Sequence, residues 1–67
     1  MKQIKPETIK RWKGSGAILP KIDYNMCDRY YRIMDGEGEI VGASVHPLLA
    51  IKMMVGVDKA EMWEVAL

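Results

Sequence analysis

Between residues 29 and 45 the chain consists of two β-rich runs around a polar turn. Arg29-Tyr30-Tyr31-Arg32-Ile33-Met34 and Glu39-Ile40-Val41-Gly42-Ala43-Ser44-Val45 flank Asp35-Gly36-Glu37-Gly38. Such runs joined by a glycine-rich turn predict a hairpin. Two registers are open. A three-residue loop of Gly36-Glu37-Gly38, with Gly38 left-handed, sets Ile33 against Val41 and Tyr31 against Ala43. Tyr31, Ile33, Val41, Ala43 and Val45 then share one apolar face. A loop one residue different sets Ile33 against Ile40 and Tyr31 against Gly42, and sends Val41, Ala43 and Val45 to the other side. The first register is preferred because it keeps the apolar face whole. Its cost is a like-charge pair, Asp35 opposite Glu39.

Helical patterning follows the hairpin. Pro47 suits a first turn, where no amide donor is needed, and Gly56 suits a left-handed end. Ser44 or His46 is placed to cap the start. The helix expected over 47–55 contains Leu48, Leu49, Ala50, Ile51, Met53, Met54 and Val55, with Lys52 as its one polar side chain after the proline. A helix apolar all round must be buried on more than one side. A second, shorter helix is expected over 6–13. Pro6 and Glu7 suit its start, Lys10, Arg11 and Lys13 its end, and Gly14-Ser15-Gly16 stops it. Ile9 and Trp12, three residues apart, share a face that should dock on the sheet.

The remaining stretches read as extended chain and loop. Residues 17–22 read as an edge strand or its approach, because Pro20 cannot donate to a ladder. Residues 23–28 read as a loop. Residues 59–67 alternate, with Trp63, Val65 and Leu67 on one face and Met62, Glu64 and Ala66 on the other, as a half-buried strand does.

A chain of 67 residues makes one domain. Domains of this size bury about 60% of their unfolded surface and keep a thin margin of stability. One cysteine, Cys27, excludes an internal disulfide, and one cysteine with one histidine argue against a zinc site. Self-association or a protein partner is therefore expected to supply the missing burial. No apolar run reaches the ~18 residues of a membrane span, and the basic start lacks the apolar core of a secretion signal. A cytoplasmic location is expected, in keeping with a free Cys27.

Charge is unevenly divided. Residues 1–21 carry six basic side chains against one acidic, a net of +5, while residues 22–67 carry four against eight, a net of −4. The two halves reproduce the net charge of +1. A basic head on an acidic body suggests an anionic partner, or contacts between head and body of different copies; the simpler reading, which so short a run favours, is a solvated lysine-rich end.

Catalytic motifs are missing. Cys27 and His46 are the candidate nucleophile and base, with no nucleophile elbow or oxyanion signature around them. Gly36-Glu37-Gly38-Glu39-Ile40-Val41-Gly42 is one residue too long for a dinucleotide fingerprint and lies between strands rather than before a helix. Position twelve counted from Asp35 is His46, not the glutamate of a calcium loop. No enzyme activity, metal or cofactor is expected. Arg29-Tyr30-Tyr31-Arg32 interleaves cations and aromatics, and alternation puts Tyr30, Arg32 and Met34 on one face, read either as an exposed patch or as ordinary cross-strand filler. With Lys52, Met53 and Met54 of the apolar helix, these form the expected partner-binding set.

Glu7-Thr8-Ile9-Lys10-Arg11-Trp12, followed by Ile18, Pro20 and Tyr31-Arg32-Ile33, resembles the recognition helix and wing of phage excisionases and related MerR-like winged-helix proteins. The resemblance covers residues 7–33. It implies DNA binding, with Lys10, Arg11 and Lys13 on phosphate or bases and Trp12 in the core.

The expected fold is α+β: a small antiparallel sheet of three or four strands with a hairpin at 29–45, an apolar helix 47–55 packed on it, and a short helix 6–13. The expected function is a small non-enzymatic binding module of phage or plasmid accessory type, acting on a host factor by protein–protein contact. DNA binding through the basic helix is the alternative.

Overall fold

A computed structural model of the chain describes residues 1–15 and 27–67. The expected extended segment 17–22 and most of the loop 23–28 lie outside the described residues, as do Ile18 and Pro20 of the resemblance. The elements run β1 (Lys2–Gln3), α1 (Pro6–Gly14), β2 (Arg29–Met34), β3 (Ile40–Ser44), α2 (Pro47–Met53) and β4 (Glu61–Ala66). The strands form one antiparallel sheet in the order β1-β4-β2-β3. The fold is α+β, as expected.

The topology consists of two interleaved crossovers. β1 and β2 run parallel with β4 between them, joined through α1. β3 and β4 run parallel with β2 between them, joined through α2. Their strands point in opposite directions and step across the sheet in opposite senses. Right-handed crossovers of that kind place both helices on one face. The core confirms the placement: Tyr31, Ile33 and Met62 of the strands are buried with Ala50 and Ile51 of α2, and Ile9 and Trp12 of α1 pack against them. Ile33 and Met62 are directly opposite each other and fully buried. Trp12 meets Tyr31 edge-on, centroids 5.9 Å apart at 77°.

The hairpin loop follows the first register and the strands beyond it do not. Asp35 N–H donates to Glu39 O at 3.0 Å, and Gly38 is left-handed at φ 83°. Asp35 does oppose Glu39. Its carboxylate turns inward and accepts the Glu37 and Glu39 amides, each at 2.9 Å, which offsets the like-charge pairing. Met34 pairs with Ile40, but Ile33 then pairs with Gly42 and Tyr31 with Ser44. Val41 is the extra residue of a β-bulge. Val41 and Ala43 are therefore exposed rather than in the core, and Gly42 and Ser44 take the helix face. The reason is α2. A Cβ at Gly42 would sit 2.9 Å from the Met53 sulfur, so the helix lies close over β3 only where that strand carries no side chain.

Gly38→Ala is expected to destabilise by about 1 kcal/mol, because its left-handed backbone disfavours a side chain. Gly14→Ala has the opposite sign. It lies in α1 with open space around its Cα, so alanine should add a few tenths of a kcal/mol to about 1. Urea melts of the two variants check both signs.

α2 ends at Met53, two residues short of the expected 55, and the chain turns through Gly56 at φ 81°. Its apolar girth finds two sides to bury: the sheet takes Ala50 and Ile51, and α1 lies against it on the flank of Met54. Leu49, Met53 and Val55 stay exposed. In β4 the buried position is Met62, while Trp63 and Val65 face away from the helices and Leu67 is exposed. β1 has no counterpart among the expected elements. Its two residues are exposed and carry no apolar period, and Ile4 N–H continues the pairing to Met62 O at 2.8 Å.

Candidate interaction surface

Among the described residues, neither helix covers the second face of the sheet. Alternation along β2 puts Tyr30, Arg32 and Met34 there, and alternation along β4 adds Glu61, Trp63 and Val65. The register brings these rows together. Tyr30 opposes Val65, Arg32 opposes Trp63 and Met34 opposes Glu61. Gln3 on the far side of Trp63 and Ala43 on the far side of Arg32 complete one row across all four strands.

The side chains of this face hold one another in place. An Arg32 terminal nitrogen donates to the Tyr30 hydroxyl at 2.8 Å, and the guanidinium sits 5.8 Å from the Tyr30 ring centroid. Its other terminal nitrogen lies 3.5 Å from the Met1 sulfur. Trp63 Nε1 donates to Glu61 at 3.1 Å. Tyr30, Arg32, Met34, Trp63 and Val65 are all half-buried, each with one side against its neighbours and one side outward. Ordered side chains have less rotamer freedom left to lose on binding.

The sheet separates the expected partner-binding residues into two groups. Tyr30, Arg32 and Met34 lie together on the open face. Lys52, Met53 and Met54 belong to the helix layer on the other side. Lys52 is exposed, Met53 lies over Gly42, and Met54 packs against the core. The sequence reading missed Trp63, the largest side chain of the open face. Its signal was the alternation of residues 61–66, which leaves open which face is buried.

The cations of α1 also divide. At about 100° per residue, Lys10 and Lys13 share a side of the helix with Pro6 and Ile9, and Arg11 turns away from them. All three are exposed, and among the described residues none of them forms an ion pair. Tyr31 and Ile33, the flanking residues of the expected wing, point into the core from a central strand.

At the far end of β2, Arg29 bridges Asp28 at 2.9 Å and Glu64 at 3.1 Å. The Arg29 guanidinium holds the Asp28 carboxyl below the usual carboxylate range, and the two acids push the guanidinium up in turn. Burial raises the Tyr31 hydroxyl, with a further contribution from the Glu64 charge. The Cys27 thiol donates to the Arg29 carbonyl at 3.4 Å, and His46 stands at the N-cap of α2, its amide bonded to the Ser44 hydroxyl at 3.0 Å. Among the described residues, no group of three or more His, Cys, Asp or Glu could hold a metal ion, and no helix is long and apolar enough to cross a membrane.

Comparison with protein-family models, with curated proteins and with solved structures finds no match to this chain.

Proposed function

We propose that this chain is a non-enzymatic binding module that docks a protein partner on the open face of its sheet, as an accessory or inhibitory factor. One observation carries the reading: Trp63, Arg32 and Tyr30 adjoin on a face that no described helix covers. Tryptophan, tyrosine and arginine are the residue types that dominate interface hot spots. Here they are ordered in advance by hydrogen bonds to one another and to Glu61. The reading includes self-association, which the exposed Ile40, Val41, Leu49, Met53 and Val55 favour in so small a domain.

Trp63→Ala and Arg32→Glu should each weaken partner binding by about 2 kcal/mol or more, roughly thirtyfold, with the fold kept. Immobilised wild-type chain and the two variants, matched by circular dichroism, would be exposed in parallel to the same extract. A protein held by the wild type and released by both variants supports the reading. Identical capture on all three overturns it.

A second reading is DNA binding through α1, favoured by three exposed cations with no ion-pair partner among the described residues. Gel shifts on mixed duplexes decide it. Neutralising Lys10, Arg11 or Lys13 singly should lower the salt slope of log K by about one, if each of them binds one phosphate.

A further inference from the structure

A groove runs between α1 and the end of α2. Its floor is Ile9, Met54 and Ala60, and Pro6, Lys10 and Lys13 form its α1 side. The helical stripe 6, 9, 10, 13 accounts for this mixture, since it sets Ile9 beside the neighbouring pair Lys10 and Lys13 on one side of α1. The groove is therefore shaped for an apolar side chain flanked by carboxylates.

The same chain carries that chemistry at the hairpin tip. Glu37 and Glu39 are exposed, and Ile40 beside them is 57% exposed. The tip cannot fold into its own groove, because Gly36 N–H donates to Asp58 O at 3.1 Å and Gly36 lies against the Lys59 side chain. The two features nevertheless belong to one end of the molecule. The segment from Met54 to Ala60 lines the groove at both its ends and holds the tip at Asp58. Val55, within that segment, is 77% exposed.

We propose that two copies of this chain pair about a two-fold axis, each seating its Glu37–Ile40 tip in the Lys10- and Lys13-rimmed groove of the other. Ile40 meets the Ile9–Met54 floor, Glu37 and Glu39 meet the lysines, and Val55 lies near the axis. Charge complementarity argues for a second copy as occupant: the basic head and the acidic body are two halves of one contact. A two-fold makes that contact twice, which is how a small groove reaches the size of a stable interface. The proposal rests on the reading that the chain self-associates; Ile40, paired with Met34, borders the open sheet face, while the groove lies in the helix layer on the other side.

The test is the mass in solution at low salt. The wild type should show twice the 7.6 kDa of the chain. Lys10→Glu with Lys13→Glu, and separately Glu37→Lys with Glu39→Lys, should each weaken dimerisation about a hundredfold, since like charges then face each other. An equimolar mixture of the two double variants should return to the dimer mass, because each variant's head now complements the other's tip. That recovery also shows that both are folded. Val55→Asp gives a third variant, expected to be monomeric without any change of the lysines or glutamates. A wild type that is monomeric at high micromolar concentration overturns self-association and this interface together. A dimer that both double variants preserve leaves self-association standing and rejects this interface. Monomeric variants whose mixture stays monomeric also reject it, as does a Val55→Asp protein that keeps the dimer mass.

Discussion

Ile33→Ala is expected to remove most of this protein's stability. Ile33 is fully buried at the middle of β2, opposite Met62, in a core that also holds Tyr31, Ala50 and Ile51. Truncating such a residue costs about 2–5 kcal/mol, as transfer energy and residual cavity combine. At about 0.05–0.15 kcal/mol per residue, a domain of this length holds about 3–10 kcal/mol in all. The variant should therefore melt at much lower urea, or be largely unfolded without any. Val41→Ala provides the contrast, because the bulge already leaves Val41 at 46% exposure and its truncation should be felt weakly. Urea titrations followed by circular dichroism measure both. Equal midpoints would mean that the core is not where the packing places it.

Trp12→Ala should release α1 from the sheet. Nine residues make a helix that is marginal in isolation. Lys5, at its N-cap, provides no side-chain cap. What holds α1 is Trp12 edge-on to Tyr31, with Ile9 beside it on the core. A fully buried tryptophan costs about 3–5 kcal/mol on truncation, and this half-buried one should cost about 2–3. The effect should be local: amide protection should fall across α1 while β2 and β4 keep theirs. The groove would lose a wall at the same time, so the variant should also be monomeric. Hydrogen exchange that leaves the α1 amides protected would show that the helix is held by something other than Trp12.

Local signals in the sequence were enough for the hairpin loop, the glycine ends and both helix starts. Gly38, Gly56, Pro6 and Pro47 act within a few residues of themselves, so their neighbourhoods reveal them. The register of β3 was hidden because its cause is remote. Gly42 rather than Val41 faces inward because Met53 of α2 lies over it. Judged by hydropathy alone, Val41 was the better core residue. The facing of β4 was hidden for a related reason. Met62 on one side and Trp63 with Val65 on the other are both apolar enough to be buried, and a period of two cannot choose between faces. Half of the open-face site, Tyr30, Arg32 and Met34, could be read from alternation within one strand. Its other half needed the pairing of Arg32 with Trp63 across 31 positions of sequence. The side on which Lys52, Met53 and Met54 lie could not be read, because exposure does not say which side of a sheet a residue is on.

The central place of β4 bears on the order in which the molecule can be assembled. It follows every other described element in the chain, yet it lies between β1 and β2 and is the strand that joins them. The β2–β3 hairpin closes over a few residues and can form within microseconds. Among the described residues, β1 has no neighbour in the sheet until residues 61–66 arrive, some sixty positions later. Loops of that length are costly to close before their contacts form, so the arrival of this strand is expected to be the slow step. A chain that extends only as far as α2 lacks Met62 of the core and the strand that joins β1 to β2. The sheet closes only when β4 inserts between β1 and β2.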